Sequence, residues 1–255
     1  MSLLDALLRN PSLTLQHRNI FLLSHMRANT SLFGHLIGSH EQVEGYYEMH
    51  IGYYSWKSLW RQKLLHFRQH KAKPKARWMF DKVLHDGHYV APEILSRAQS
   101  KTIFMLRAPA QSVRSLVVLF RKHRPDLPEA TPEGATRYYV DRLNSLNRIA
   151  GEIQRPYFYL DAENLIADAA STLNALSTWL ELDSPIPTEY ETFNQTGAGD
   201  SGDHSARLKS GKINQSKTDY SDIVLTPEQL EAARLAYESC RSQLILGSER
   251  HSIIS

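Results

Sequence analysis

Short apolar runs alternate with longer amphipathic stretches along the first two thirds of the chain. Asn19-Ile-Phe-Leu-Leu-Ser24 is apolar at consecutive positions and ends in a turn, the pattern of a strand buried on both faces of a parallel sheet. Thr30 to Ser39 changes to a helical period, with Leu32, Leu36 and Ile37 on one face; Gly34 and Gly38, four apart, permit close packing onto a sheet. A longer helix is predicted over 53–69, where Trp56, Leu59, Trp60, Leu64 and Phe67 follow the spacing of a buried stripe. The basic stretch 71–77 reads as a solvated turn before a strand at 78–80. Lys101-Thr-Ile-Phe-Met-Leu106 is the clearest strand. Pro109 suits the first turn of a helix running to about His123, with Val113, Leu116, Val117 and Phe120 as its core face. A helix over 133–154, a strand over 157–160 and a helix capped by Asp168 and running through Leu182 follow.

From Asp183 to Leu225 the chain turns rich in Gly, Ser, Asp, Thr and Pro, around Gly197-Ala-Gly-Asp-Ser-Gly-Asp203, and predicts one long loop. Thr226-Pro-Glu-Gln229 then supplies an N-cap, an N1 proline and a capping-box glutamine for a last helix over 226–246. Strands alternating with helices, and no repeat or linker, predict one α/β domain over 1–255, a central parallel sheet flanked by helices.

Composition narrows the function classes. With 42% hydrophobic residues in 255, a sizeable core is available, and a largely disordered chain is excluded. Lys+Arg at 30 against Asp+Glu at 27 leaves +3, too small a surplus for gripping a nucleic-acid backbone but suited to one anionic small-molecule site. The single cysteine, Cys240, excludes an internal disulfide framework and a multi-cysteine zinc site, and favours a reducing compartment. Met1 to Asn10 reads as a short helix without the basic start of a secretion signal. The longest apolar run, Leu116 to Phe120, falls far short of the ~20 residues that cross a bilayer. The expectation is a cytoplasmic protein without a transmembrane segment.

Ligands of parallel sheets bind beyond the carboxyl ends of the strands. Two such ends carry unusual residues. Ser24-His-Met-Arg-Ala-Asn-Thr-Ser31 places Arg27 and the hydroxyls of Thr30 and Ser31 at a helix N-terminus, an anion cradle or simply a cap with a surface arginine. The loop has neither the glycines nor the lysine of a Walker A motif, which disfavours nucleoside triphosphate hydrolysis. In the second, Arg107 leaves a strand tip, and Ser112 and Ser115 share a face of the next helix, either a guanidinium and a hydroxyl brought together for a second phosphate or simply a helix-start serine and a solvated arginine.

The pairing resembles the sulfotransferases that use 3′-phosphoadenosine 5′-phosphosulfate. Met26-Arg-Ala-Asn-Thr-Ser-Leu32 looks like their 5′-phosphosulfate loop, and Phe104-Met-Leu-Arg-Ala-Pro109 through Ser115 looks like their 3′-phosphate motif, a strand-end arginine and a serine eight residues on. Phe80-Asp81-Lys82 stands where many members have an Asp-Lys pair, and Glu163-Asn-Leu165 where later members have Glu-Asp-Leu. The likeness spans about 18–182, with 183–225 in the place of a nucleotide-covering loop. Two departures stand out. Ala28 and Asn29 replace Ser-Gly, Asn being the residue that best tolerates a left-handed backbone after glycine; Ala108 replaces an Asp that orients the arginine.

The resemblance implies a P-loop-like sulfotransferase fold and in-line transfer of a sulfuryl group to an acceptor hydroxyl or amine, close in its physics to phosphoryl transfer. It implies 3′-phosphoadenosine 5′-phosphosulfate as donor co-substrate and no metal, side-chain cations stabilising the leaving group. Arg27 is the leaving-group candidate, with Lys82, Thr30 and Ser31 assisting and Ala28 and Asn29 completing the loop; Arg107 and Ser115 would fix the 3′-phosphate. The general base is sought among Glu48, the favoured candidate, and His50, His85 and His88. Arg207, Lys209, Gly211 and Lys212 are candidates for a basic segment over the nucleotide. The acceptor is a small molecule, a carbohydrate or a lipid, with no nucleic-acid partner; oligomeric state is open. Two other readings stay open, a kinase-like nucleotide enzyme and a binding module that kept the fold and lost the chemistry.

Overall fold

The computed structural model describes residue 5 and residues 11–14, 16–193, 196, 208–214 and 218–254. The predicted helix over 1–10, apart from residue 5, the segment 197–203, and Arg207 lie outside the described residues.

In chain order the elements are β1 (Arg18–Ser24), α1 (Thr30–Gly38), β2 (Val43–Glu44), α2 (Trp56–Phe67), β3 (Trp78–Val83), α3 (Pro92–Leu95), β4 (Ser100–Leu106), α4 (Pro109–His123), α5 (Pro132–Glu152), β5 (Phe158–Asp161), α6 (Asn164–Ala167), α7 (Ala169–Trp179), α8 (Pro227–Gly247) and β6 (Arg250–Ser252). The strands form one sheet in the order β2-β3-β1-β4-β5-β6, and every pairing is parallel. This is the α/β architecture expected from the alternating pattern.

The period of two explains the two cores. Phe21, Leu23, Phe104 and Leu106 project to one side, where Val113, Leu116 and Val117 of α4, Leu143 and Leu146 of α5 and Ala233 of α8 cover them. Their neighbours Ile20, Leu22, Ile103 and Met105 project to the other, against Phe33 and Leu36 of α1 and Leu173 and Leu176 of α7. From β1 the chain moves to β2 and β3 on one side and returns to β4 on the other, so β1 lies between β3 and β4. Strand order therefore reverses beside β1, and the carboxyl ends of β1 and β4 flank the crevice where open parallel sheets bind ligands. Ser24 pairs in register with Met105 there.

The basic stretch is a largely exposed turn, as expected, except at Lys73, whose ammonium donates to the carbonyls of Gly38, His40 and Val43, the latter two at 3.0 and 2.9 Å, capping the end of α1. The tryptophan stripe of α2 also differs from expectation. Trp56 and Trp60 are 57% and 40% exposed, while Gln62, His66 and Phe67 face inward. Gln62 accepts from Asn19 and donates to the Phe80 carbonyl, so a satisfied polar face is buried. Gly34 and Gly38 serve close packing, though against the backbone of Gly45 and Tyr46 just after β2. Among the described residues no helix is long and apolar enough to cross a membrane.

Candidate functional site

The loop from β1 to α1 is organised around His25. Its ring is fully buried, and Nε2 accepts the Arg107 N–H at 3.1 Å. That fixes the tautomer: Nδ1 carries the hydrogen and donates to the Met26 carbonyl at 2.8 Å. Burial, with Arg107 and Arg142 nearby, pushes the imidazole pKa down to about 4, so the ring is neutral at pH 7. Arg27 and Asn29 both take left-handed backbone, at φ 67° and 57°. Asn29 thus holds the conformation that a glycine would hold, and its side-chain amide donates to the Ala162 carbonyl at 3.2 Å. Ala28 is fully buried in the core of α1, where a serine would have to bury its hydroxyl. Thr30 and Ser31 then open α1, Thr30 buried and Ser31 accepting from the Lys82 ammonium at 3.3 Å.

The second strand tip meets the first. Arg107 donates from Nη1 to the Arg27 carbonyl at 3.0 Å, and Arg27 donates from Nε to Ser115 Oγ at 2.8 Å. Ser115 in turn donates to the Tyr220 hydroxyl at 3.0 Å. The Tyr139 hydroxyl holds the Arg107 carbonyl at 2.7 Å. Beside it, Glu163 accepts the Ala108 N–H at 3.0 Å and interacts with the Arg107 charge. Ser112 turns back onto the Ala108 carbonyl at 2.9 Å and belongs to its own helix.

A third group stands beside Lys82. Strand alternation points Lys82 toward Ser31 and Asp81 to the opposite face. Asp81 accepts the N–H groups of Met49 and Lys82 at 3.0 and 2.8 Å and the Tyr53 hydroxyl. Burial pushes this carboxyl up to about 7. The Met49 contact fixes the segment that carries Glu48 and His50. Around Glu48 Oε1 lie His85 Nε2 at 3.6 Å, His50 Nδ1 at 3.7 Å and His88 Nδ1 at 3.8 Å. Burial pushes the Glu48 carboxyl up, but His88, Lys82, His50 and His85 outweigh it and hold it below the usual glutamate value. The four residues read as rival bases in the sequence are one cluster.

The remaining described candidates make contacts of their own. Lys212 pairs with Glu189 at 3.1 Å, Gly211 at φ 68° accepts the Tyr190 N–H at 2.9 Å, and Lys209 lies exposed between Leu208 and Ser210. Among the described residues of the long loop, Tyr220 reaches the strand tips. His25, Tyr139 and Tyr220 went unmarked in the sequence; only the position of His25, directly after a strand tip, was a signal.

No family model matches this chain, and no curated protein matches it. Solved structures do, two sulfotransferase domains among them. The sulfotransferase domain from the curacin biosynthetic pathway superposes with a TM-score of 0.62 at 15% identity, covering 89% of this chain and 98% of that one. The sulfotransferase domain from the Synechococcus PCC 7002 olefin synthase superposes with a TM-score of 0.56 at 17% identity, covering 88% and 94%. At such identities the likeness establishes the fold: this chain is built as those sulfotransferase domains are.

Proposed function

We propose that the protein transfers a sulfuryl group from 3′-phosphoadenosine 5′-phosphosulfate to an acceptor hydroxyl or amine. The observation that carries this reading is the joining of the two strand tips, with Arg107 on the Arg27 carbonyl and Arg27 on Ser115. Two guanidinium groups and a serine hydroxyl gathered in one crevice fit a terminal phosphate, and their number favours a bisphosphorylated nucleotide over a monophosphate. The bound donor would supply an electrophilic sulfur and a phosphate leaving group. Lys82, beside Ser31 at the start of α1, is placed to neutralise charge on that phosphate, with the hydroxyls of Thr30 and Ser31 and the helix N-terminus. Arg27, expected on the leaving-group side, joins Ser115 and so belongs with Arg107.

Glu48 serves as the general base. Its neighbours hold it ionised, and the charge of Lys82 ties it to the Ser31 end of the crevice. The acceptor approaches from the Glu48 side and is a small molecule, a carbohydrate or a lipid. The lone cysteine fits a cytoplasmic setting.

Calorimetric titration tests the reading. 3′-Phosphoadenosine 5′-phosphate should bind, and Arg107→Ala should weaken it about 10- to 100-fold, the size of one or two hydrogen bonds to a charged group, while adenosine 5′-phosphate changes far less. Equal losses for both nucleotides, or no binding of either, overturn the assignment. Transfer of labelled sulfate to a panel of phenols, sugars and lipids then identifies the acceptor.

A further inference from the structure

We propose that Glu48, His50, His85 and His88 form a binding site for one divalent transition-metal ion of the kind that imidazole and carboxylate select, zinc being the simplest occupant. The proposal does not depend on sulfuryl transfer; an ion on Glu48 would suppress its basicity, so the base role above belongs to the metal-free protein. Among the described residues this group offers three ring nitrogens and a carboxylate oxygen that all lie within 4.8 Å of one another. The ligand types suit zinc, nickel, copper or iron and are a poor match for magnesium or calcium, which take oxygen.

The spacing is that of a cage slightly wider than its ion. Four ligands at the ~2.0–2.2 Å of zinc bonds stand about 3.3–3.5 Å apart in a tetrahedron. The three histidine nitrogens stand 3.6, 3.7 and 3.8 Å from Glu48 Oε1, too far for hydrogen bonds. A contraction of a few tenths of an ångström closes the three edges to Glu48, and edges between ring nitrogens, at most 4.8 Å, close by up to about 1.5 Å.

The second observation is buried polarity without a partner. Glu48 is 9% exposed, and neither its Oε1 nor His88 Nδ1 has a hydrogen-bond partner. A buried carboxylate oxygen without a hydrogen bond is costly to the fold, and the two atoms lacking one face each other across the cage. An ion between them satisfies both.

The chain is bent to bring these groups together. His50 takes left-handed backbone at φ 53°, a strained choice for a β-carbon residue, and so returns its ring to Glu48 two positions earlier. His85 and His88 share the turn after β3, closed by the His88 N–H on the His85 carbonyl at 3.2 Å. Two short chelating pairs, one from each segment, thus meet, and Asp81 pins the Glu48 segment through the Met49 N–H.

The test uses the full chain freed of metal by a chelator and titrated with Co2+. The expected result is saturable uptake of one equivalent, with the intense visible absorption of four- or five-coordinate cobalt, and a thermal midpoint raised by Zn2+. His85→Ala/His88→Ala, and separately Glu48→Gln, should abolish both signals while circular dichroism and nucleotide binding persist. A cobalt spectrum of the weakly absorbing hydrated ion overturns the proposal. So does uptake unaltered in both variants, which marks adventitious binding to others of the twelve histidines. Cobalt uptake is read without nucleotide and nucleotide binding without metal, so either reading fails by itself.

Discussion

His25 shows how much one side chain sets. Its ring stays neutral because burial holds the pKa near 4, whereas in the unfolded chain it titrates near 6.5. Between those values the unfolded state binds more protons, so stability rises with pH across the window and is lost as pH falls through it. That depression corresponds to roughly 3 kcal/mol. Urea unfolding from pH 4 to 7 should show this slope in the wild type and a shallower one in His25→Gln. Slopes that do not differ would refute the assignment. The same residue marks the limit of sequence reading here. Arg27, Thr30, Ser31, Arg107 and Ser115 were legible because charged and hydroxyl groups at strand ends have few structural reasons to be there. A histidine that links two loops by one ring nitrogen each leaves no pattern. Nor does Tyr220, one of twelve tyrosines, set in a loop without periodicity.

At the level of elements, long periodic segments were read within a few residues: α4 starts at Pro109 and ends at His123, and the capping box of α8 is present on Thr226 and Gln229. What escaped were pieces too short to carry a period, β2 with two residues and β6 with three, and the inward face of α2, where hydrogen-bonded Gln62 and His66 displace tryptophans. Helix α1 packs closely on the segment after β2. A Cβ on Gly34 would stand 2.1 Å from the Tyr46 carbonyl oxygen, a backbone atom that cannot rotate away. Gly34→Ala should therefore cost about 1–3 kcal/mol as overpacking, measured as a fall in the denaturant midpoint; an unchanged midpoint would show that α1 moves freely. Because α1 begins at Thr30, a displaced helix also moves the hydroxyls that open it.

Across the molecule, the far end of the chain is fastened beneath the crevice. Asp161, buried at the end of β5, accepts from Arg241 of α8 at 2.6 and 3.0 Å, from the Ile254 N–H at 2.9 Å and from Tyr159 at 2.6 Å. Arg241→Met leaves that carboxylate without its cation and should destabilise the fold by about 3–5 kcal/mol, seen as a lower thermal midpoint; a loss under 1 kcal/mol would make the pair dispensable. Asp161 also precedes Ala162 and Glu163, which hold Asn29 and Ala108, so the last helix supports both strand tips. Those tips are fastened by the His25 ring between Met26 and the Arg107 amide, by Arg107 on the Arg27 carbonyl and by Arg27 on Ser115, and behave as a single jaw. An anion seated on either turn stiffens the other, so a ligand with two linked anionic ends gains from an effective concentration that two separate ions never enjoy. Inorganic phosphate and sulfate supplied together would for that reason compete feebly against one molecule bearing both groups.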